Sequence, residues 1–364
     1  MMNKKKMDQA LIMAGGTGGH IFPALAVAKA LQAQGVNVTW LGAKNSMEAE
    51  LVPKAGIEID WVTIKGLRGN GLFGWLLAPM KVLFATCQAY KVMRKRRPDV
   101  VIGMGGFVTG PGGVAAYLNR TPLVIHEQNA IPGLTNKLLG KIASDVLEAF
   151  PGSFDKKYKA TALGNPVRDV FSQMESPETR LENRDRPLRL LVVGGSLGAL
   201  ALNIITPKTL QKFSGNGQLE VWHQTGAKKY QETKKCYEKK HLKAKVEPFI
   251  DDMAAAYAWA DIVLCRSGAL TISELTAAGV GSILVPFPHA VDDHQTKNAA
   301  FLVDAGAAKL LPQSELTVDT LSEILHSLIE NRENILTMAN AAFAKRQLDS
   351  VDQVVNHCLE VSHV

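Results

Sequence analysis

The sequence predicts an α/β protein with two doubly wound, parallel-sheet domains of similar plan. The first observation is a repeated local pattern. Leu11–Ala14 is a short apolar run followed by Gly15-Gly16-Thr17-Gly18-Gly19-His20 and a helix-like stretch. Leu190–Val193 runs in the same way into Gly194-Gly195-Ser196-Leu197-Gly198-Ala199 and another helix-like stretch. The second observation is that further short apolar runs alternate with helical patterns, the signature of a sheet covered on both faces. The third is length, because 364 residues exceed what one core usually holds.

In the N-terminal half the expected strands are Leu11–Ala14, Val36–Leu41, Val100–Gly103 and Leu123–His126. Ala24–Gln34 reads as the first helix, with Pro23 in its first turn and Gly35 as its stop. A second glycine-rich stretch, Gly103–Gly113, follows the third strand. Gly164-Asn165-Pro166 and the polar run Glu175–Pro187 mark the domain boundary. The pattern then restarts with strands at Leu188–Val193, Leu219–Gln224, Val246–Phe249, Ile262–Cys265 and Ser282–Val285. Ser314–Val364 reads as mostly helical.

Composition narrows the function. Apolar content of 46% and charged content of 21% are ordinary for a globular chain. Cys87, Cys236, Cys265 and Cys358 form no C-x-x-C pair, which speaks against a zinc site or a disulfide framework. The basic start, Met1–Lys6, leads straight into the first strand pattern rather than a signal peptide, and no run reaches the roughly 18 apolar residues of a membrane-spanning helix. The net charge of +7 is concentrated. Trp61–Pro98 holds Lys65, Arg68, Lys81, Lys91, Arg94, Lys95, Arg96 and Arg97 and no acid, while the remaining 33 basic residues face 34 acidic ones. The same window carries Leu72, Phe73, Trp75, Leu76, Leu77 and Met80. Apolar groups ringed by cations suit an anionic membrane surface better than nucleic acid, and a core helix with solvated lysines is the bland alternative.

Each glycine loop, joining a strand to a helix N-terminus, is an anion-binding corner by design. Two such corners predict a phosphate-bearing ligand in a cleft between two domains; ordinary tight turns are the alternative. The spacing departs from G-x-G-x-x-G, and Gly42-Ala43-Lys44-Asn45 lacks the acid that binds ribose in NAD sites. There is no P-loop and no D-x-D. His20 sits at the mouth of the first corner, where a near-neutral pKa suits general-base work, although capping or surface histidines are common there. Glu274, about one turn into the segment after Arg266-Ser267-Gly268, can reach a ribose diol or can complete a capping box with Thr271. His126-Glu127-Gln128-Asn129 and Asp292-Asp293-His294-Gln295 are polar clusters after apolar strands. His126 with Glu127, or His289 with Asp293 and His294, could hold a metal, but their spacing matches no common site, so no metal is expected.

Seven of these motifs in order resemble the MurG family of bacterial glycosyltransferases: Gly15–His20, Gly105-Gly106-Phe107, His126–Asn129, Gly164–Arg168, Gly194–Ala199, Ser267–Glu274 and Gln295–Ala299. The resemblance implies the GT-B fold. It implies an acceptor- and membrane-binding domain at 1–163, joined by a returning helix at 342–364, and a UDP-sugar domain at 164–341. It implies an inverting transfer of N-acetylglucosamine from UDP-N-acetylglucosamine to the 4-hydroxyl of lipid I, giving lipid II, at the cytoplasmic face of the inner membrane and without a cofactor. By carry-over, Thr17, Gly18, Gly19 and Asn129 contact the donor sugar. Arg168, Ser196, Ile250, Ala269, Leu270, Thr271, Ile272, Ser273, Glu274 and Gln295 hold the nucleotide and diphosphate, with Glu274 on the ribose. His20 is the candidate base. His294 departs from relatives with a second glutamine beside Gln295. The partners implied are the donor, lipid I and an anionic membrane, with no nucleic acid, and the resemblance leaves room for wall-synthesis or division complexes. A UDP-sugar epimerase, a nicotinamide dehydrogenase and a non-catalytic nucleotide-sugar sensor are the competing readings.

Overall fold

The computed structural model describes residues 7–44, 46–64, 78–182, 186–195, 198–214 and 217–362. The chain forms two compact units, 1–168 with 349–364, and 169–348.

The first unit holds a seven-stranded parallel sheet in the order β3-β2-β1-β4-β5-β6-β7. Its strands are β1 (Gln9–Met13), β2 (Asn37–Ala43), β3 (Glu58–Val62), β4 (Val100–Gly103), β5 (Leu123–Glu127), β6 (Asp145–Glu148) and β7 (Thr161–Ala162). The second unit repeats the plan with six parallel strands, β10-β9-β8-β11-β12-β13. These are β8 (Leu188–Val193), β9 (Leu219–Gln224), β10 (Lys245–Glu247), β11 (Ile262–Cys265), β12 (Gly281–Leu284) and β13 (Ala308–Leu310). In both sheets the strand order reverses beside the first strand of the unit, between β1 and β4 and between β8 and β11. Open α/β sheets bind ligands outside the carboxyl ends of strands at that switch point, and the glycine loops lie there.

The central strands are apolar because helices cover both faces. Leu11, Ile12 and Met13 are fully buried, Leu11 and Met13 in one cluster and Ile12 in the other. The helix Ser350–Ser362 belongs to the first unit. Its Val354, Val355 and Cys358 share a core with Val27 and Leu31, and His357 Nδ1 meets Asp145 Oδ2 at 2.5 Å. The helical tail takes the form of Val318–Glu330, Glu333–Phe343 and Ser350–Ser362.

Three expectations shift. The first helix runs Gly18–Ala33, so Pro23 lies inside it rather than in its first turn. The strand expected at Val246–Phe249 ends at Glu247, since Pro248 has no N–H for a ladder. Gly164–Arg168 stay with the first unit. Leu163 and Val167 are buried, the Gly164 carbonyl meets the His126 ring, and Asn165 Nδ2 donates to the Gln128 carbonyl at 3.1 Å.

Candidate functional site

In the first unit, β1 delivers Gly15–Gly19 and the helix Gly18–Ala33 carries His20 in its first turn. Thr17 is the N-cap in extended backbone, and its side chain makes no capping bond. The loop after β4 packs directly against this corner. Gly106 sits at φ +91°, and a Cβ there would lie 2.2 Å from the Gly15 carbonyl oxygen. Gly105, at φ +92°, leaves the space that the His20 imidazole occupies, with Nδ1 2.5 Å from where a Cβ would stand. The residues around His20 therefore have to be glycine.

The amide of Gly16 does not wait for a ligand. It donates to Glu48 Oε2 at 3.0 Å, while Ala43 N donates to Oε1 at 3.2 Å. Glu48 is 1% exposed. The first corner thus holds its own anion, a residue that sequence reasoning passes over because it looks like an ordinary acid in the first turn of the helix Glu48–Lys54.

At the end of β5 the cluster His126–Asn129 resolves into two devices. Glu127, buried, accepts from Asn129 N, Asn129 Nδ2, Gly133 N and Asn136 Nδ2, and so fixes Asn129 just past the carboxyl end of β5. Gln128 links two histidines. His20 Nδ1 lies 2.9 Å from Gln128 Oε1, and Gln128 Nε2 lies 3.2 Å from both His126 Nδ1 and the His126 carbonyl oxygen. His126 Nε2 meets the Gly164 carbonyl at 2.9 Å. Burial lowers the pKa of His126 from its ordinary value, so it is a neutral ring. Both of its nitrogens are occupied within the chain, which removes the metal reading for His126. Among the described residues no group of three or more His, Cys, Asp or Glu is placed to hold a metal ion.

In the second unit the loop after β8 is held by the neighbouring strand. Gly195 N donates to Gln224 Oε1 at 2.9 Å and Gln224 Nε2 returns a bond to the Gly195 carbonyl at 3.0 Å. Ser196 lies outside the described residues, as do Leu72, Phe73, Trp75, Leu76 and Leu77. A buried trio ties β9 to the helices Leu200–Leu210 and Tyr230–Lys239. His223 Nε2 meets Asn203 Oδ1 at 3.0 Å and its Nδ1 meets Tyr237 Oη at 2.8 Å, with burial pushing the His223 pKa down to about 3.

The loop after β11 leads into the helix Ala269–Ala278, whose N-cap is Gly268. A capping box would need its acid at Thr271, the third helical residue, so Glu274 does not cap. Glu274 is 9% exposed and accepts from Tyr257 Oη at 3.2 Å. Tyr257, which orients this carboxylate, is a further residue missed by sequence reasoning. Ala269 and Ile272 are buried and can offer a ligand only backbone, whereas Leu270, Thr271 and Ser273 are half-buried. Ile250 is buried at the turn after β10. Gln295 begins its helix beside His294, and its Oε1 accepts from Phe287 N at 2.9 Å. His20, Thr17–Gly19 and Asn129 therefore gather in the first unit, and Ile250, Ala269–Glu274 and Gln295 in the second. Arg168 falls on the last residue of the first stretch.

Comparison with known proteins agrees with this geometry. Residues 10–148 match the glycosyltransferase family 28 N-terminal domain, and residues 189–354 match the C-terminal domain of the same family. The chain is 53% identical over 353 residues to the UDP-N-acetylglucosamine–N-acetylmuramyl-(pentapeptide) pyrophosphoryl-undecaprenol N-acetylglucosamine transferase of Marinobacter nauticus, covering 97% of each chain. The enzyme of the same name from Chromohalobacter salexigens is 51% identical, with 99% of each covered. The crystal structure of Acinetobacter baumannii MurG superposes with a TM-score of 0.83 at 42% identity, covering 97% of this chain and 99% of that one. A UDP-N-acetylglucosamine 2-epimerase structure, at 12% identity and TM-score 0.65, over 96% of this chain and 95% of that one, shares the fold alone. The chain belongs to glycosyltransferase family 28 and, within it, to the MurG family of N-acetylglucosamine transferases.

Proposed function

We propose that the protein transfers N-acetylglucosamine from UDP-N-acetylglucosamine to the 4-hydroxyl of the muramyl sugar of lipid I, giving lipid II for peptidoglycan synthesis. The observation that carries this reading is identity above half along the full length of relatives bearing that activity in their names. In the reaction the acceptor oxygen attacks the anomeric carbon, the bond from that carbon to the diphosphate breaks, and UDP leaves with the electron pair. His20 takes the acceptor's proton. Backbone amides of the glycine loop after β8 and of the helix start Ala269–Thr271, together with Arg168, stabilise the charge that develops on the diphosphate, with Glu274 on the ribose. Attack opposite the leaving group inverts the anomeric centre. The test is UDP release with and without a lipid I analogue. Release that requires the acceptor supports transfer; release or sugar isomerisation without it would favour an epimerase.

The enzyme is proposed to dock on the cytoplasmic face of the inner membrane. Among the described residues no helix is long and apolar enough to cross a bilayer. The helix Ala78–Arg96 exposes Met80, Leu83 and Phe84 in one stripe, beside exposed Lys81, Lys91, Arg94 and Lys95. The neighbouring helix Thr109–Leu118 exposes Tyr117 and Leu118. Each cation near an anionic surface adds about 1 kcal/mol, and burying a few apolar groups adds a similar scale, so binding should be reversible. Sedimentation with anionic vesicles, weakened by salt and by Leu83→Ser with Phe84→Ser, is the expected outcome. Equal binding to neutral vesicles would place docking elsewhere.

A further inference from the structure

We propose that Gln128 and His126 are positioning residues that hold His20 in the tautomer with Nδ1 protonated and Nε2 bare, so that Nε2 is the atom that accepts the proton; the inference rests on His20 being the base.

The hydrogens can be assigned one by one from groups that have only one role. A carbonyl oxygen only accepts, so His126 Nε2, 2.9 Å from the Gly164 carbonyl, must carry a hydrogen. His126 is fully buried and neutral, so its Nδ1 is bare and needs a donor. The Gln128 atom 3.2 Å from that nitrogen must be the NH₂ end. The His126 carbonyl, also 3.2 Å from the same atom, demands this independently. Two acceptor-only partners thus fix the amide, which is 1% exposed and closed off from water. Its oxygen then faces His20 Nδ1 at 2.9 Å, and an oxygen there requires Nδ1–H. The lone pair of His20 is left on Nε2.

The arrangement also suits the second half of the step. When Nε2 gains a proton, Nδ1–H keeps its bond to Gln128, and no neighbour has to reorient. A third group that orients the base is the recurring logic of triads. Here that group is a neutral amide whose own orientation comes from a buried second histidine.

The test begins with the unaltered protein. In full-length protein labelled with ¹⁵N-histidine, long-range ¹H–¹⁵N correlations should show His20 protonated at Nδ1 and bare at Nε2, and His126 the reverse. His20→Ala assigns the His20 signals. Gln128→Leu should convert His20 to a tautomer mixture and lower kcat about tenfold to a hundredfold, below the roughly 10²–10⁴-fold of losing a base, with KM for UDP-N-acetylglucosamine within about twofold. A wild-type His20 protonated at Nε2 would overturn the proposal, as would Gln128→Leu with normal kcat. If Gln128→Leu does not fold, the wild-type spectrum still decides. Acceptor-dependent UDP release is unaffected by a wrong tautomer assignment, so the transferase reading can survive the loss of this one.

Discussion

At the first glycine corner the loop amide of Gly16 donates to a carboxylate, Glu48; at the second, Gly195 donates to a neutral amide, Gln224. The backbones follow the same plan at the same place in two sheets, yet the group that meets the first loop amide is negative and the group that meets the second is neutral. A phosphate about 5 Å from Glu48 would meet about 3 kcal/mol of repulsion at an effective dielectric near 20. At the second corner the group that Gly195 meets is a neutral amide and brings no such cost. Two loops that read alike are therefore suited to different work. On the proposed reading the first serves a neutral sugar hydroxyl and His20, and the second faces a diphosphate. A helix start with glycines loses its pull on an anion when a carboxylate of the chain already sits against its loop amides.

The comparison can be broken, with effects expected in descending order. His20→Ala should lower kcat by roughly 10²–10⁴-fold and leave UDP affinity within about twofold, because the proposed reading gives proton transfer to the first corner and the nucleotide to the second. Kinetics at saturating substrates, with calorimetric UDP titration, separate the two; a lost UDP affinity would show that the corners are not divided in this way. Gln224→Glu gives the second corner the charge of the first. UDP affinity should fall on the order of a hundredfold, corresponding to the same ~3 kcal/mol repulsion. An unchanged dissociation constant in a folded variant would mean that the diphosphate lies elsewhere. Glu274→Ala removes a hydrogen-bond partner without adding charge, so UDP should bind roughly ten- to fiftyfold more weakly. Uridine and UDP losing equally would assign the contact to the nucleoside; equal binding by wild type and variant would remove the ribose role. The smallest effect on function is expected from Glu48→Gln. UDP affinity should not move, while stability falls by about 1.5–3 kcal/mol, the scale of hydrogen bonds to a charged acceptor, as read from denaturant midpoints.

The central strands and both glycine loops were legible because each is a local signal, an apolar run next to glycines. The strands left unnamed were β3, β6, β7 and β13, which lie at or next to sheet edges. Glu58-Ile59-Asp60-Trp61-Val62 is half-exposed and interrupted by two acids, both paired with Arg96, so it lacks the run that marks a covered strand. The first helix starts earlier than the sequence suggests because Gly18, Gly19 and Pro23 weigh against helix locally, yet Thr17 takes the N-cap position of a helix that begins at Gly18. The site divided in the same way. His20, Glu274 and Asn129 were visible as polar residues just past apolar strands. Glu48, Gln224 and Tyr257 were not, since each acts across a long sequence separation. Gln128 stood in a visible cluster, but its role depends on which of its two amide atoms faces which ring, and sequence carries no such direction.

The helix Ser350–Ser362 has a consequence for the order in which the protein is made. Its Val354, Val355 and Cys358 complete the core that Val27 and Leu31 begin, so the second unit is an insertion in the first. At about 5–20 residues per second, the ribosome adds residues 169–348 over roughly 10–35 s while that core stands open. The second unit, 169–348, is continuous and can close as it emerges. The unit that carries His20 is begun first and finished last, and a chain stopped before Ser350 would damage the half of the molecule farthest from the cut in sequence.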